Sequence, residues 1–162
     1  MTDNTNYTAR ISNADPLGLV IITYELILAN ITEAMDTKDS IHAKKSLTKS
    51  RQFLADLITS LDMSHEISKS LMSVYIYVNK LLIEGELKAN GSKFTEMQKS
   101  LSEASEILND LLKSWKALQE DENIDKGEKI MPNALKVYAG LTYKGGELAE
   151  FVDYDEKRGY KA

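Results

Sequence analysis

The 162-residue sequence contains no cysteine and only two prolines. Without cysteine the chain can form neither disulfides nor thiolate metal sites, and cysteine usage gives no information about the redox compartment. Aromatic residues make up only 7% of the chain, whereas 28% of the residues are charged. This composition is typical of a helical protein rather than an all-β one. The length suits one domain with a substantial core.

Blocks of like charge and long apolar runs are also missing. The chain has 25 acidic and 20 basic residues, a net charge of −5, without the basic patch that nucleic acid or an anionic membrane requires. The longest apolar-rich run, residues 17–28, is shorter than the roughly 18–20 residues that span a bilayer. The first ten residues do not resemble a secretory signal. We therefore expect a cytoplasmic protein with no nucleic-acid partner and no membrane insertion.

Apolar periodicity predicts four long helices. The first begins at Asp15 and Pro16, since Asp is a common N-cap and Pro suits the first helical position. In order, the helices are Pro16 to Asp36, a second that ends near Ser60, a third within residues 61–90, and a fourth from about Lys93 to Gln119. Short connections make consecutive helices antiparallel neighbours. The predicted fold class is all-α, an antiparallel up-down-up-down four-helix bundle.

The two ends of the chain differ from this bundle. We expect residues 1–14 to be an extended N-terminal cap segment of a bundle domain that comprises residues 1–119. Residues 120–162 are an acidic, aromatic-containing C-terminal extension that begins with a charged linker, with a short helix expected near 133–143. From residue 119 onward there are 10 acidic and 7 basic residues. Acidic sequence with spaced aromatic residues often docks onto an apolar surface.

The first and third predicted helices each have two apolar faces, although a surface helix needs only one. On the third helix, the second apolar row lies roughly 145° from the core row at 100° per residue. The outer rows contain Leu19, Ile22 and Leu26 on the first helix, and Met72, Ile76, Ile83 and Leu87 on the third, with Tyr77 at the rim. Another part of the chain or a partner must cover them. Self-cover remains open, and we favour a partner.

The sequence contains no pattern typical of catalysis or metal binding. A metal site in a bundle uses inward-facing Glu-x-x-His pairs, which neither His42 nor His65 has. We therefore expect no enzyme activity, no cofactor and no metal. One alternative is open, because residues 42–46 (HAKKS) resemble the His-x-x-Lys-Gly pattern of histidine phosphotransfer domains, with Ser46 in place of Gly. That alternative is a phosphotransfer protein using His42. A generic helical adaptor is a second alternative.

A series of short elements follows a recognisable order. Asn6-Tyr7-Thr8-Ala9 is similar to a Pro-Tyr-x-Ala element, and Asn13-Ala14-Asp15-Pro16 to the opening of a first helix. The further elements are Leu19, Tyr24 and Leu26, then Leu61-Asp62-Met63, Ile67, Leu71, Tyr75-Ile76-Tyr77, Leu82-Ile83-Glu84, Asn90 and Trp115. Together they resemble the FliS family of flagellin-specific export chaperones over about residues 5–118. The chain departs from that pattern at Arg10, where the family usually has an aromatic residue, and at Gly85-Glu86, where it usually has Ala-Asn.

This resemblance implies a cytoplasmic chaperone that binds the C-terminal region of flagellin. Such a protein prevents premature polymerisation and aids delivery to the flagellar type III export apparatus, where an export gate component is the second partner. In the family the flagellin segment wraps around the bundle, and the N-terminal segment can occupy part of the same surface. The resemblance therefore makes Leu19, Ile22, Leu26, Met72, Ile76, Tyr77, Ile83 and Leu87 expected flagellin contacts. Tyr7 and Ile11 are expected to belong to the N-terminal cap.

Overall fold

The computed structural model describes residues 4–124, which form five α-helices and no strand. The helices are α1 (Asn4–Asn13), α2 (Pro16–Asp36), α3 (Ser40–Ser60), α4 (Glu66–Lys88) and α5 (Phe94–Ile124), with a 3-10 turn at Gly91–Lys93. The all-α helical bundle expected from the sequence is confirmed. The short helix expected near 133–143 lies outside the described residues.

The starts of α2 and α3 follow directly from capping residues. The Asp15 side chain accepts a hydrogen bond from the Gly18 amide at 2.7 Å, and Pro16 occupies the first helical position. The Asp39 side chain accepts from the Ile41 amide at 2.9 Å. Each carboxylate satisfies an amide that has no partner within its helix. Helix α2 therefore begins where the sequence predicts.

Two boundaries differ from the prediction. The N-terminal segment was expected to be extended, but residues 4–13 form α1, with Ile11 packed against the core. A ten-residue helix is marginal alone, so packing on α2 accounts for its stability. Helix α5 continues past the predicted end at Gln119 to Ile124, because no glycine or proline interrupts the chain before Gly127.

The four long helices pack as a ring in which α2 and α4 each contact both α3 and α5. Between α3 and α4, Lys44 contacts Asn90, and Thr48 donates to Glu86. Residue numbers thus rise along α3 as they fall along α4. This order is the one that antiparallel neighbours have, and it supports the predicted up-down-up-down arrangement.

Two tyrosines join opposite helices through the centre of the core. Tyr24 on α2 and Tyr75 on α4 are both fully buried, and their hydroxyl oxygens are 2.6 Å apart. Their ring centroids lie 6.2 Å apart in a tilted arrangement. A buried phenol hydroxyl needs a hydrogen-bond partner, and here each hydroxyl is the partner of the other. The pair therefore fixes how α2 and α4 face each other.

We expect removal of either hydroxyl, in Tyr24→Phe or Tyr75→Phe, to lower the free energy of unfolding by about 1 kcal/mol. Because the two hydroxyls share one hydrogen bond, the double variant should cost less than the two single costs combined. Urea unfolding of the four proteins in this cycle measures the coupling. Strictly additive costs would show that the hydrogen bond contributes nothing to stability.

Helix α2 is buried on all sides over its first two turns, since every residue from 17 to 24 is buried. Helices α1, α3 and α5 surround it, which accounts for its two apolar faces. The sequence predicts that the apolar run 17–28 is too short to span a membrane. The whole of α2, however, is long and apolar enough to do so by length and composition. Within the bundle, 61% of its most apolar 18-residue window is buried. A core helix of a soluble protein meets the same criteria.

Candidate functional site

Helix α4 carries an apolar row on the face that points away from the core. Ile76 is 58% exposed and Leu87 is 72% exposed, while Met72 and Ile83 are half-buried. We call these four residues the α4 outer row. The opposite face of α4 is fully used in the core, where it buries Leu71, Tyr75, Val78 and Leu82. Helix α4 thus has both of the apolar faces that its sequence predicts.

Tyr77 lies at the edge of the α4 outer row that faces α5. Its hydroxyl donates a 2.5 Å hydrogen bond to Glu103 on α5, and its side chain is 43% exposed. This hydrogen bond, with the nearby negative charges of Glu103 and Glu84, raises the pKa of Tyr77 above its ordinary value. On this side the row has an acidic border.

The border towards α3 contains an ion pair between the two helices. Arg51 forms a 2.9 Å ion pair with Glu86 and a 3.2 Å hydrogen bond with Asn79, which ties α3 to α4. Lys44 extends the basic side of this seam towards the end of α4. The α4 outer row therefore lies between Tyr77 with its neighbouring Glu103 on the α5 side and the Arg51–Glu86 ion pair on the α3 side.

The outer row of α2 has a different environment. Leu19 and Ile22 are 7% and 3% exposed, and Leu26 is half-buried against the core. Leu19 belongs to the contiguous core, whereas Ile22 lines a cavity of about 320 Å³ together with Arg10, Ala14 and other residues of α1, α2 and α5. The structure therefore buries these predicted contact residues. It does not bring them together with the α4 outer row, because α2 and α4 lie across the bundle from each other.

Helix α1 covers α2 and is held by an ionic cluster. Glu25 of α2 accepts from Arg10 of α1 at 2.7 Å and from Lys116 of α5 at 2.9 Å. Tyr7 and Ile11 are half-buried on α1, and the Arg10 guanidinium lies 5.4 Å from the centroid of the Tyr7 ring. Sequence reasoning missed this cluster, although one signal was present. Glu25 is the only charged residue within the apolar run 17–28.

The chain was compared with known proteins. The family described as flagellar protein FliS matches residues 2–122, which include α1 to α4 and nearly all of α5. The chain belongs to the FliS family. A comparison with curated proteins gave no match. The FliS family is a family of flagellar chaperones and not of enzymes, so the resemblance seen in the sequence is confirmed.

Arg10 pairs with Glu25 of α2, and we expect it to hold α1 in place in this FliS-family chain. Arg10→Ala should increase amide hydrogen exchange across α1 and the exposed fraction of Ile22. The cost should be at most about 1 kcal/mol, because the pair is partly exposed. Hydrogen exchange measures the effect, and Lys113→Ala is the control because Lys113 pairs only within α5. Unchanged exchange in α1 would contradict a holding role.

The geometry around His42 disfavours phosphotransfer in this FliS-family chain. His42 Nε2 lies 2.8 Å from Glu33 Oε1, and Ser46 donates to the other Glu33 oxygen at 3.1 Å. Burial raises the pKa of Glu33, but the hydrogen bonds with His42 and Ser46 and the charges of His42 and Lys49 together lower it below its ordinary value. An ionised carboxylate thus faces Nε2 and repels a phosphoryl group that approaches this nitrogen. Within residues 4–124 no three His, Asp or Glu side chains are grouped as metal ligands.

Proposed function

We propose that this protein is a cytoplasmic export chaperone that binds the C-terminal segment of flagellin. It prevents premature polymerisation of flagellin and aids its delivery to the flagellar type III export apparatus. Membership of the FliS family supports the chaperone role. The observation that supports the binding surface is the α4 outer row, where Ile76 and Leu87 remain 58% and 72% exposed although α4 already has a complete core face.

The shape of the α4 outer row suits a helical ligand. From Met72 to Leu87 the row extends about 22 Å along α4, which corresponds to roughly four helical turns. An amphipathic segment of that length can place its own apolar face against the row. Tyr77 then contributes its ring to the contact while its hydroxyl remains bonded to Glu103.

The α4 outer row alone is too small to order a disordered ligand. Coupled folding and binding buries on the order of 1,000–3,000 Å² and spends roughly 2–5 kcal/mol on ordering. Four side chains supply only a fraction of that area, so the ligand needs a second apolar surface. We propose the α2 surface beneath α1, which comprises Ile22 and Leu26 with Leu19 at its margin. Tyr7 and Ile11 then form the cap that the ligand displaces, and the flagellin segment wraps around the bundle to reach both surfaces.

Delivery to the export apparatus implies a second partner. We propose an export gate component that recognises the loaded chaperone, in the cytoplasm and without membrane insertion of this chain. Nucleic acid is not expected as a partner, because the net charge of −5 gives no attraction to phosphates. The chaperone acts by covering an apolar ligand segment, so it needs neither a cofactor nor a catalytic residue.

Calorimetric titration tests the proposed function. The full-length chain is titrated with the C-terminal segment of flagellin, about 50 residues long, at three temperatures. We expect saturable one-to-one binding with a large negative heat-capacity change, because apolar surface is buried. A segment of equal length from the middle of flagellin is the control. Absence of saturable binding by the C-terminal segment would refute the flagellin proposal.

A further inference from the structure

We propose that the C-terminal extension docks its own residues 147–156 on the α4 outer row. The segment has the sequence ELAEFVDYDE. Docking would cover the proposed flagellin surface when flagellin is absent, so the regulatory consequence rests on the proposed function, whereas the docking does not. The occupant is part of this chain, and three features of the described residues favour it.

The first feature is the place where the chain leaves the bundle. Glu96 near the start of α5 lies 4.0 Å from Lys88 at the end of α4, whereas Gln119 lies beside Gly18 at the start of α2. The last turns of α5 therefore lie at the end of the bundle where α4 begins. Residues 125–146 can span about 75 Å when extended. Helix α4 is only about 35 Å long, so residues 147–156 can reach any part of it.

The second feature is complementary chemistry. Residues 147–156 contain five acidic residues and no basic one, interleaved with Leu148, Phe151, Val152 and Tyr154. Lys80 lies beside the α4 outer row, four residues after Ile76 and three before Ile83. It is exposed, and none of the ion pairs among the described residues involves it. Lys44 and Arg51 border the row on the α3 side. Arg51 is already paired with Glu86, so Lys80 and Lys44 are the positive charges that an acidic, apolar segment would meet. Glu103 and Glu84 disfavour its approach from the α5 side.

The third feature argues against a second copy of the chain as occupant. In a two-fold dimer the same surface meets itself, so α4 would pack on α4. Lys80 lies at the middle of the α4 outer row, between Met72 and Leu87. Packing centred on the row would place the two Lys80 ammonium groups together in an apolar contact, which is unfavourable. The acidic extension neutralises Lys80 instead.

Attachment to the same chain makes even a weak contact effective. A flexible connection gives an effective concentration in the millimolar range. A contact with an intrinsic Kd of about 0.1 mM would then be closed about ten times as often as open. A ligand that needs the open row binds about tenfold more weakly as a result. Flagellin would displace the extension, whereas weaker apolar ligands would be excluded.

Spin labelling tests the docking in the full-length chain. The chain has no natural cysteine, so a nitroxide on Gly146→Cys is the only label and lies just outside the segment. We expect amide signals of residues 76–87 to lose more than half of their intensity, whereas exposed α5 positions such as Asn109 and Lys113 keep theirs. Phe151→Ser/Tyr154→Ser in the labelled chain should restore the α4 signals, and Tyr160→Ser, outside the segment, should not.

Two results would overturn the proposal. One is broadening that is absent or not selective for α4. The other is broadening in a mixture of isotope-labelled chains without nitroxide and unlabelled chains with nitroxide, because it would identify a second copy as occupant. Flagellin segment should restore the α4 signals, and Phe151→Ser/Tyr154→Ser should tighten its binding about tenfold. Selective broadening without any flagellin binding would uphold the docking and refute the proposed function. Flagellin binding without selective broadening would uphold the proposed function and refute the docking.

Discussion

Replacement of Ile76 and Leu87 together by glutamate should weaken binding of the flagellin segment at least about 100-fold, which corresponds to roughly 2.7 kcal/mol or more. Both side chains are largely exposed in the free protein, so the new carboxylates stay in water there. In the complex they would be buried without partners, which is costly. Calorimetry measures the affinity, and circular dichroism checks that the bundle remains folded.

The choice of residues matters for this test. Met72→Glu/Ile76→Glu should also abolish binding, but Met72 is half-buried and packs against the core, so its replacement affects stability too. Ser70→Glu/Ser73→Glu is the matched control, because it adds the same charge to exposed positions of α4 outside the α4 outer row. Full affinity in folded Ile76→Glu/Leu87→Glu would refute the row as a binding surface. An equal loss in the control would show that charge alone is responsible.

Replacement of Trp115 by alanine should lower the free energy of unfolding by about 3–5 kcal/mol. Trp115 is only 5% exposed and belongs to the contiguous core, so its removal leaves a large cavity among α5 and its neighbours. Urea unfolding measures the cost. At temperatures where the variant is folded, its affinity for flagellin should match that of the wild type, because Trp115 is buried in the core and is not one of the proposed contact residues.

Ser114→Ala is the control for this second prediction. Ser114 is the exposed neighbour of Trp115 on α5, and its replacement should change stability by less than about 0.5 kcal/mol. A cost below about 1 kcal/mol for Trp115→Ala would show that the ring contributes little to the core. Loss of flagellin binding by folded Trp115→Ala would instead place Trp115 in the binding surface.

Local signals in the sequence were sufficient for the long helices. Asp15 with Pro16 predicts the start of α2, and the structure forms the expected cap. Apolar periodicity predicts the helix from about Lys93 to Gln119, and the structure buries Met97, Leu101, Ala104, Leu108 and Trp115 on α5. These features depend on a residue and its near neighbours, which is why periodicity and capping preferences reveal them.

Features that depend on distant parts of the chain could not be predicted. The apolar rows of α2 and α4 look alike in sequence, yet the structure buries Leu19 and Ile22 of α2 and leaves Ile76 and Leu87 of α4 exposed. Helix α1 itself forms because it packs on α2, not because its polar sequence favours a helix. The ion pairs that Glu25 makes with Arg10 and Lys116 join three helices, and no spacing rule connects these positions.

Methyl NMR of the full-length chain, with and without the flagellin segment, tests the central claim most directly. We predict that the methyl signals of Met72, Ile76, Ile83 and Leu87 shift on binding. Those of Ile41 and Met63 should stay unchanged, although both are also exposed, at 77% and 41%. A shift of the Ile22 methyl signals would indicate in addition that α1 has moved. Saturable binding that shifts Ile41 or Met63 and leaves the α4 outer row unchanged would contradict the account.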